Sequence, residues 1–284
     1  MVKVFLAFLL FVNLLSSDEI FIAEDEVAVD PLIEKIQTFI NEDIYEKNSA
    51  YINILFTPQD DYVNGDKVDD VKVVQTLKDN GLLNLYFKKP SELTLHFKTS
   101  GSPLFFMKIM GDTLRNIGYY RYVTKESNLN SSEFTWTIVL TSEYATDPAI
   151  LQKELAKSGC SVVNVERKLP TEWIYTVDMR DGKLNVTTLK SREQIKLKRS
   201  LYAKWLDVSQ VEKIRISSSR RNSWYPYIAY YDSSMHLLKV IRIDERRDKV
   251  VVNMQNDTHY LKISDIYTLK NIRDDLVLTP MGSR

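Results

Sequence analysis

Little in this chain of 284 residues serves reactive chemistry. It holds one cysteine, three histidines, eight glycines and eight prolines. One cysteine excludes an intrachain disulfide, and with three histidines it leaves too few ligands for the usual His/Cys zinc cage. Scarce glycine leaves little material for a phosphate-cradling loop, and neither a Gly-x-Gly-x-x-Gly run nor a Walker-type loop occurs. His-x-x-x-His, His-Glu-x-x-His and Gly-x-Ser-x-Gly are missing too. Neither sign of charge is in excess: 38 Lys and Arg face 38 Asp and Glu, for a net charge of zero. A balanced chain has no global field to hold a polyanion, so nucleic acid is not an expected partner. No cofactor and no metal are expected. Beyond Leu15 no apolar run is long enough to span a bilayer, so the mature chain is expected to lack a transmembrane span.

What is present is ordinary globular composition, 44% hydrophobic and 27% charged, behind an unusual start. Met1-Val2-Lys3 precedes an apolar run from Val4 to Leu15, then Ser16-Ser17 and acidic Asp18-Glu19. A positive start, a short apolar core and small residues at a cut are the order of a signal peptide. Residues 1–17 are therefore expected to be removed, near Ser17. The mature chain is expected in the periplasm or secreted, and an exported protein with a single cysteine favours a bacterial periplasm.

Asp30-Pro31 reads as a helix start, and Leu32, Ile33, Ile36, Phe39, Ile40 and Ile44 continue one apolar stripe toward Asn48. Three strand–helix–strand copies are then expected. The first has strands at 51–57 and 82–88 around a helix at 69–80; the second has strands at 93–99 and 119–124 around a helix at 103–117. The third has strands at 134–141 and 160–167 around a helix at 148–158. Gly81, Gly118 and Gly159 close the three helices at similar spacing. Leu93, Leu95 and Phe97 alternate with Thr94, His96 and Lys98, which predicts a sheet with one covered face. Copies two and three together read as β-α-β-β-α-β, a ferredoxin-like split βαβ arrangement. Asp181-Gly182 predicts a hairpin between strands at 172–179 and 183–189.

The basic stretch Lys190–Arg199 reads as a linker or an exposed strand and marks the domain boundary. Strands are expected beyond it at 211–217, 225–231, 237–243, 249–254 and 260–263, with a charged hairpin tip at 243–249 and no long helix. Pro226 places its strand at an edge or at that strand's start. The predicted fold is thus α+β: repeated ferredoxin-like units, then a small all-β sandwich or barrel-like domain. The divisions are 1–17 leader, 18–50 N-terminal segment and helix, 51–190 α+β domain (split near 90), and 200–284 all-β domain. The order Trp205-Leu206-Asp207-Val208-Ser209, Ile214-Arg215-Ile216 and an aromatic strand resembles carbohydrate-binding and discoidin-like sandwiches. It carries none of their diagnostic motifs and assigns no family.

Cys160, directly after Gly159, reads as a small apolar strand residue. Asp60, Asp61, Asp66, Asp69 and Asp70 cluster about Gly65 without the spacing of a calcium loop and read as a solvated acidic loop. The distinctive composition is aromatic: Trp205, Trp224, Tyr225, Tyr227, Tyr230 and Tyr231, with Arg220, Arg221 and Asn222 just before. Such residues build a core, a protein interface or a sugar-stacking platform. No catalytic residue is assigned. The expected function is a non-catalytic interaction or scaffold component of a cell-envelope assembly, such as a flagellar or secretion apparatus. It would bind other envelope proteins through sheet edges and the surface of Trp205, Arg220, Arg221, Asn222, Trp224, Tyr225, Tyr227 and Tyr230. Two alternatives are a glycan- or peptidoglycan-binding protein that stacks sugar on Trp224, Tyr225 and Tyr227, and a carboxylate-dependent hydrolase.

Overall fold

The computed structural model describes residues 30–284; the expected leader, 1–17, lies outside the described residues. The chain mixes helix and strand, with five α-helices among the described residues. Helix α1 (Pro31–Phe39) begins where Asp30 caps it, its carboxylate accepting the Leu32 amide at 2.9 Å. The apolar stripe predicts one helix, but Ile40 turns extended and buries its side chain, and α2 (Glu42–Leu55) starts afresh. The strand expected at 51–57 is the end of α2. Ile52 and Phe56, four residues apart, are buried, whereas the alternating Ile54 is exposed, so helical period wins over period two.

A small ladder of β1 (Val63–Asn64) and β2 (Lys67–Val68) leads into α3 (Asp70–Asp79), capped by Asp69. Strand β3 (Tyr86–Thr99) fuses the two strands expected at 82–88 and 93–99. Pro90 is accommodated because the register with β5 shifts between Tyr86 and Ser91, where a ladder donor is not needed. Helix α4 (Pro103–Asn116), β4 (Val123–Leu129), β5 (Phe134–Tyr144), α5 (Pro148–Ala156), β6 (Ser161–Leu169) and β7 (Glu172–Asp178) follow. With its first strand a helix and its second fused into β3, the first of the three expected copies is absent. The sheet order is β4-β5-β3-β7-β6, antiparallel except for β3 beside β7. Leu93, Leu95 and Phe97 are buried beneath the helices, and Thr94, His96 and Lys98 lie on the opposite, half-exposed face. The expected 172–189 hairpin is corrected. Strand β7 pairs with β6 through the Pro170-Thr171 turn, and the Asp181-Gly182 turn instead leads the chain away.

From β8 (Thr187–Thr188) onward the structure is strands: β9 (Ile195–Leu197), β10 (Lys204–Asp207), β11 (Lys213–Ser218), β12 (Pro226–Tyr231), β13 (Leu237–Arg242), β14 (Lys249–Asn253), β15 (Tyr260–Asp265) and β16 (Leu276–Met281). They form two sheets, β13-β12-β15-β10-β8 and β14-β11-β16-β9. Residues 243–249 are not a hairpin tip, because β13 and β14 belong to different sheets and the segment crosses between them. Pro226 opens β12, which is flanked by β13 and β15, so it marks the strand's start and not an edge.

Two apolar cores result. One gathers side chains from Leu32 to Leu184, with Met235 and Tyr260. The other lies between the two C-terminal sheets, where Trp224, Ile228, Leu261 and Ile263 meet Ile214, Ile216, Val252 and Leu278. Each such fully buried side chain contributes roughly 1.5–3 kcal/mol of transfer free energy. The second core is therefore sizeable even though β8–β16 hold no α-helix.

Candidate functional site

Strand period sorts the aromatic cluster into two faces. Trp224, Ile228 and Tyr230 point into the second core; Tyr225, Tyr227 and Tyr231 point out. Trp224 is completely buried and its indole N–H donates to the Ser264 carbonyl at 2.9 Å. Burial pushes the Tyr230 hydroxyl up to about 12. Asn222 is buried as well: its carboxamide accepts the Arg273 and Asp274 amides, both at 2.7 Å, and donates to Ser218 at 3.0 Å. The surface expected from these residues is corrected accordingly. Trp224, Tyr230 and Asn222 hold the fold together and offer no face to a ligand. Arg220 and Arg221 sit on an exposed turn, where the Arg220 carbonyl accepts the Arg246 guanidinium and Arg221 lies 3.6 Å from Asp274. Tyr225 meets Tyr267 edge-on at 5.2 Å.

Trp205 comes to a different place. It projects from β10 on the outer face of its sheet, 4.9 Å from the Tyr231 ring, at the junction with α4. Lys262, its cross-strand partner on β15, lies 5.6 Å from the indole and 6.0 Å from the Tyr227 ring. Lys108 of α4 approaches the indole to 4.9 Å. A cleft of about 780 Å³ opens here between α4–α5 and β8–β10. Its walls carry Lys108, Arg115, Lys157, Lys196, Lys198 and Lys204 against the carboxylates Asp112 and Glu154. Sequence reasoning found Trp205 and missed the rest, because the cations come from segments far apart in the chain.

The cleft's carboxylates are already engaged. Asp112 holds Lys108 and, at 2.7 Å, Arg115. Burial pushes the Glu154 carboxyl up, but hydrogen bonds from Lys157 and Asn116 outweigh it and hold Glu154 below the usual carboxylate range. A general acid needs the reverse shift.

One other row resembles a nucleophile–base–carboxylate order. His96 Nδ1 is 2.9 Å from Thr137 Oγ1 and its Nε2 is 3.2 Å from Glu172. Thr137, however, is buried in the middle of the sheet, paired on both sides by β3 and β4, so no free backbone N–H pair faces its hydroxyl. The row is a cross-strand polar ladder. The Cys160 thiol is buried and pushed up to about 11, by burial first and then by Asp178, as suits a packing residue. Among the described residues no group of three or more His, Cys, Asp or Glu side chains is placed to hold a metal, and no helix is long and apolar enough to cross a membrane.

The sheets also present edges. Strand β4 ends its sheet, pairs only with β5, and exposes all seven of its residues. Val123 and Leu129, at its two ends, are exposed, and so is Tyr120 just before it. Strand β13 ends its own sheet with Leu237, Leu238 and Val240 exposed. No family model, curated protein or solved structure matches the chain.

Proposed function

We propose that this chain is an exported, non-catalytic interaction protein of a cell-envelope assembly, which docks an extended segment of a partner envelope protein along β4. The observation that carries this reading is the fully exposed, singly paired β4, with Val123 and Leu129 exposed at its two ends. Its outer row of backbone donors and acceptors is free for another strand, and strand addition needs no special side-chain chemistry. The order β3-α4-β4-β5-α5-β6 supports reading this unit as a ferredoxin-like split βαβ module with β7 inserted between β3 and β6. The leader-like residues 1–17 support export.

The test is a photo-crosslinking residue at Ser127, introduced into the full chain in its native cells. One defined adduct is expected, and Val123→Lys with Leu129→Lys should abolish it. Both side chains are exposed, so stability should change by less than about 0.5 kcal/mol. An adduct pattern no different from that of a probe at exposed Lys88 rejects the reading. A second reading, a glycan ligand, is favoured by the outward row Tyr227–Lys262–Trp205. Retention on peptidoglycan lost in Tyr227→Ala, with β4 variants unaffected, would favour it.

A further inference from the structure

The cleft between α4–α5 and β8–β10 is a concentration of one sign of charge in a chain whose net charge is zero. Lys108, Asp112 and Arg115 fall on one face of α4 because they are four and then three residues apart. The strand side brings Lys196 and Lys198, which alternate onto the same face of β9 and its extension, and Lys204 at the start of β10. A second lobe of about 360 Å³ shares Lys108, Asp112, Arg115, Tyr202 and Trp205 and adds Lys262. With Asp112 and Glu154 engaged as described, Lys196, Lys198, Lys204 and Lys262 have no ion-pair partner among the described residues.

The aromatic rings decide how that excess is read. Trp205 stands beside both Lys108 and Lys262, and the Arg115 guanidinium lies 5.0 Å over the Tyr202 ring. A ring face attracts a cation through its quadrupole but carries no net charge. The rings therefore fix the cations in place and leave their field intact. The Lys108 ammonium shows the consequence. Burial pushes its pKa down, Asp112 resists, and the nearby Arg115 and Lys262 push it down further. Lys108, Lys204 and Lys262 are half-buried and Lys196 and Lys198 exposed, yet all line one concave space, which concentrates their field. An arriving anion is the group that relieves this crowding. A cleft of about 780 Å³ also falls within the range of roughly 300–1,000 Å³ typical of small-molecule sites.

We propose that this cleft binds a small multivalent oxyanion, a compound with at least two phosphate or carboxylate groups. One group is held by Lys108, Arg115 and Lys262 and another by Lys196, Lys198 and Lys204. Such a ligand touches both halves of the molecule and ties them together. The site shares no residue with β4, so its test and the test of docking fail independently.

The test is calorimetry on the full chain with pyrophosphate and with citrate at matched ionic strength, with acetate as the monovalent control. Saturable binding of pyrophosphate or citrate is expected, weakening as salt rises, with acetate weaker than either. Lys204→Gln and Lys262→Gln should each weaken it about tenfold, the usual worth of a charge-assisted hydrogen bond. Lys88→Gln, at an exposed position near the start of β3, should change nothing. Near-UV circular dichroism checks that each variant is folded; Lys196→Gln, at an exposed position, replaces either site variant that is not. No saturable binding of either multivalent anion overturns the proposal. So does equal weakening by Lys88→Gln, or binding of dextran sulfate without the small anions, which would assign the cleft to a polyanionic chain.

Discussion

Asn222 and Asp70 show how far a residue's surroundings outrun its chemical type. In sequence Asn222 sits between two arginines and an aromatic run, the company of a binding residue, and nothing there shows that it caps the turn before β16. Asn222→Ala would strip two backbone N–H groups of their acceptor and should cost about 1–3 kcal/mol. Urea midpoints that leave Asn222→Ala within about 0.5 kcal/mol of the native chain would refute this role. Asp70 reads in sequence as part of a solvated acidic loop but is buried, accepting Lys35 at 2.8 Å and the Val165 amide at 2.6 Å. Those contacts favour the carboxylate; burial opposes it and wins, raising the pKa above the ordinary 3.8. Between the unfolded and the folded value the folded state binds more proton than the unfolded state does. The extra stability is complete below about pH 4 and is lost as pH rises through the folded value. The stability of the native chain relative to Asp70→Asn should therefore decline from about pH 4 to pH 7. A difference that stays flat, or grows with pH, in urea titrations at the two ends of that window would refute it.

At the scale of elements, what was legible is what local chemistry writes down. Asp30-Pro31 and Asp147-Pro148 announce α1 and α5, and each aspartate does accept an amide of the first turn. The final glycines are legible for the same reason, since Gly81 and Gly159 both lie at positive φ. They differ in surroundings, which sequence hides. A Cβ on Gly81 would meet nothing within 4 Å, whereas one on Gly159 would lie 2.2 Å from the Asp181 carbonyl oxygen. Gly81→Ala should cost about 1–2 kcal/mol, the strain of a left-handed residue alone. Gly159→Ala should cost about 3 kcal/mol or more, because the backbone after β7 must also move. Equal thermal shifts for the two variants would contradict that. The misread elements failed where two periods fit one run. Tyr51–Thr57 alternates like a strand, yet its buried members are four residues apart. The split expected near 90 falls on Pro90, where the register shifts inside one long strand. The β6–β7 turn carries no glycine, so the stronger turn signal in the sequence is Asp181-Gly182, which joins no ladder.

Across the whole molecule, the two cores are legible as two stretches of differing pattern, but their contact is not, because it joins positions more than a hundred residues apart. Phe105 at the start of α4 stacks on Tyr260 of β15 at 6.3 Å, and Ser102 donates to the Ser234 carbonyl at 3.1 Å. Met235 and Tyr260 thus leave the strand-rich half to join the first core. The cationic cleft lies over the same seam and was hidden for the same reason. If that seam couples the halves, they should open together. Hydrogen exchange followed in rising urea resolves the halves through β3 and β11, and both should lose protection at the same urea concentration in the native chain. Phe105→Ala removes the ring that spans the seam, at a cost of about 3–5 kcal/mol for a well-buried site. In that variant β11 should open at a urea concentration distinct from that of β3. If the two strands already open separately in the native chain, or still open together in the variant, the seam does not couple the halves, and an anion bound across the cleft would have to stabilise them separately.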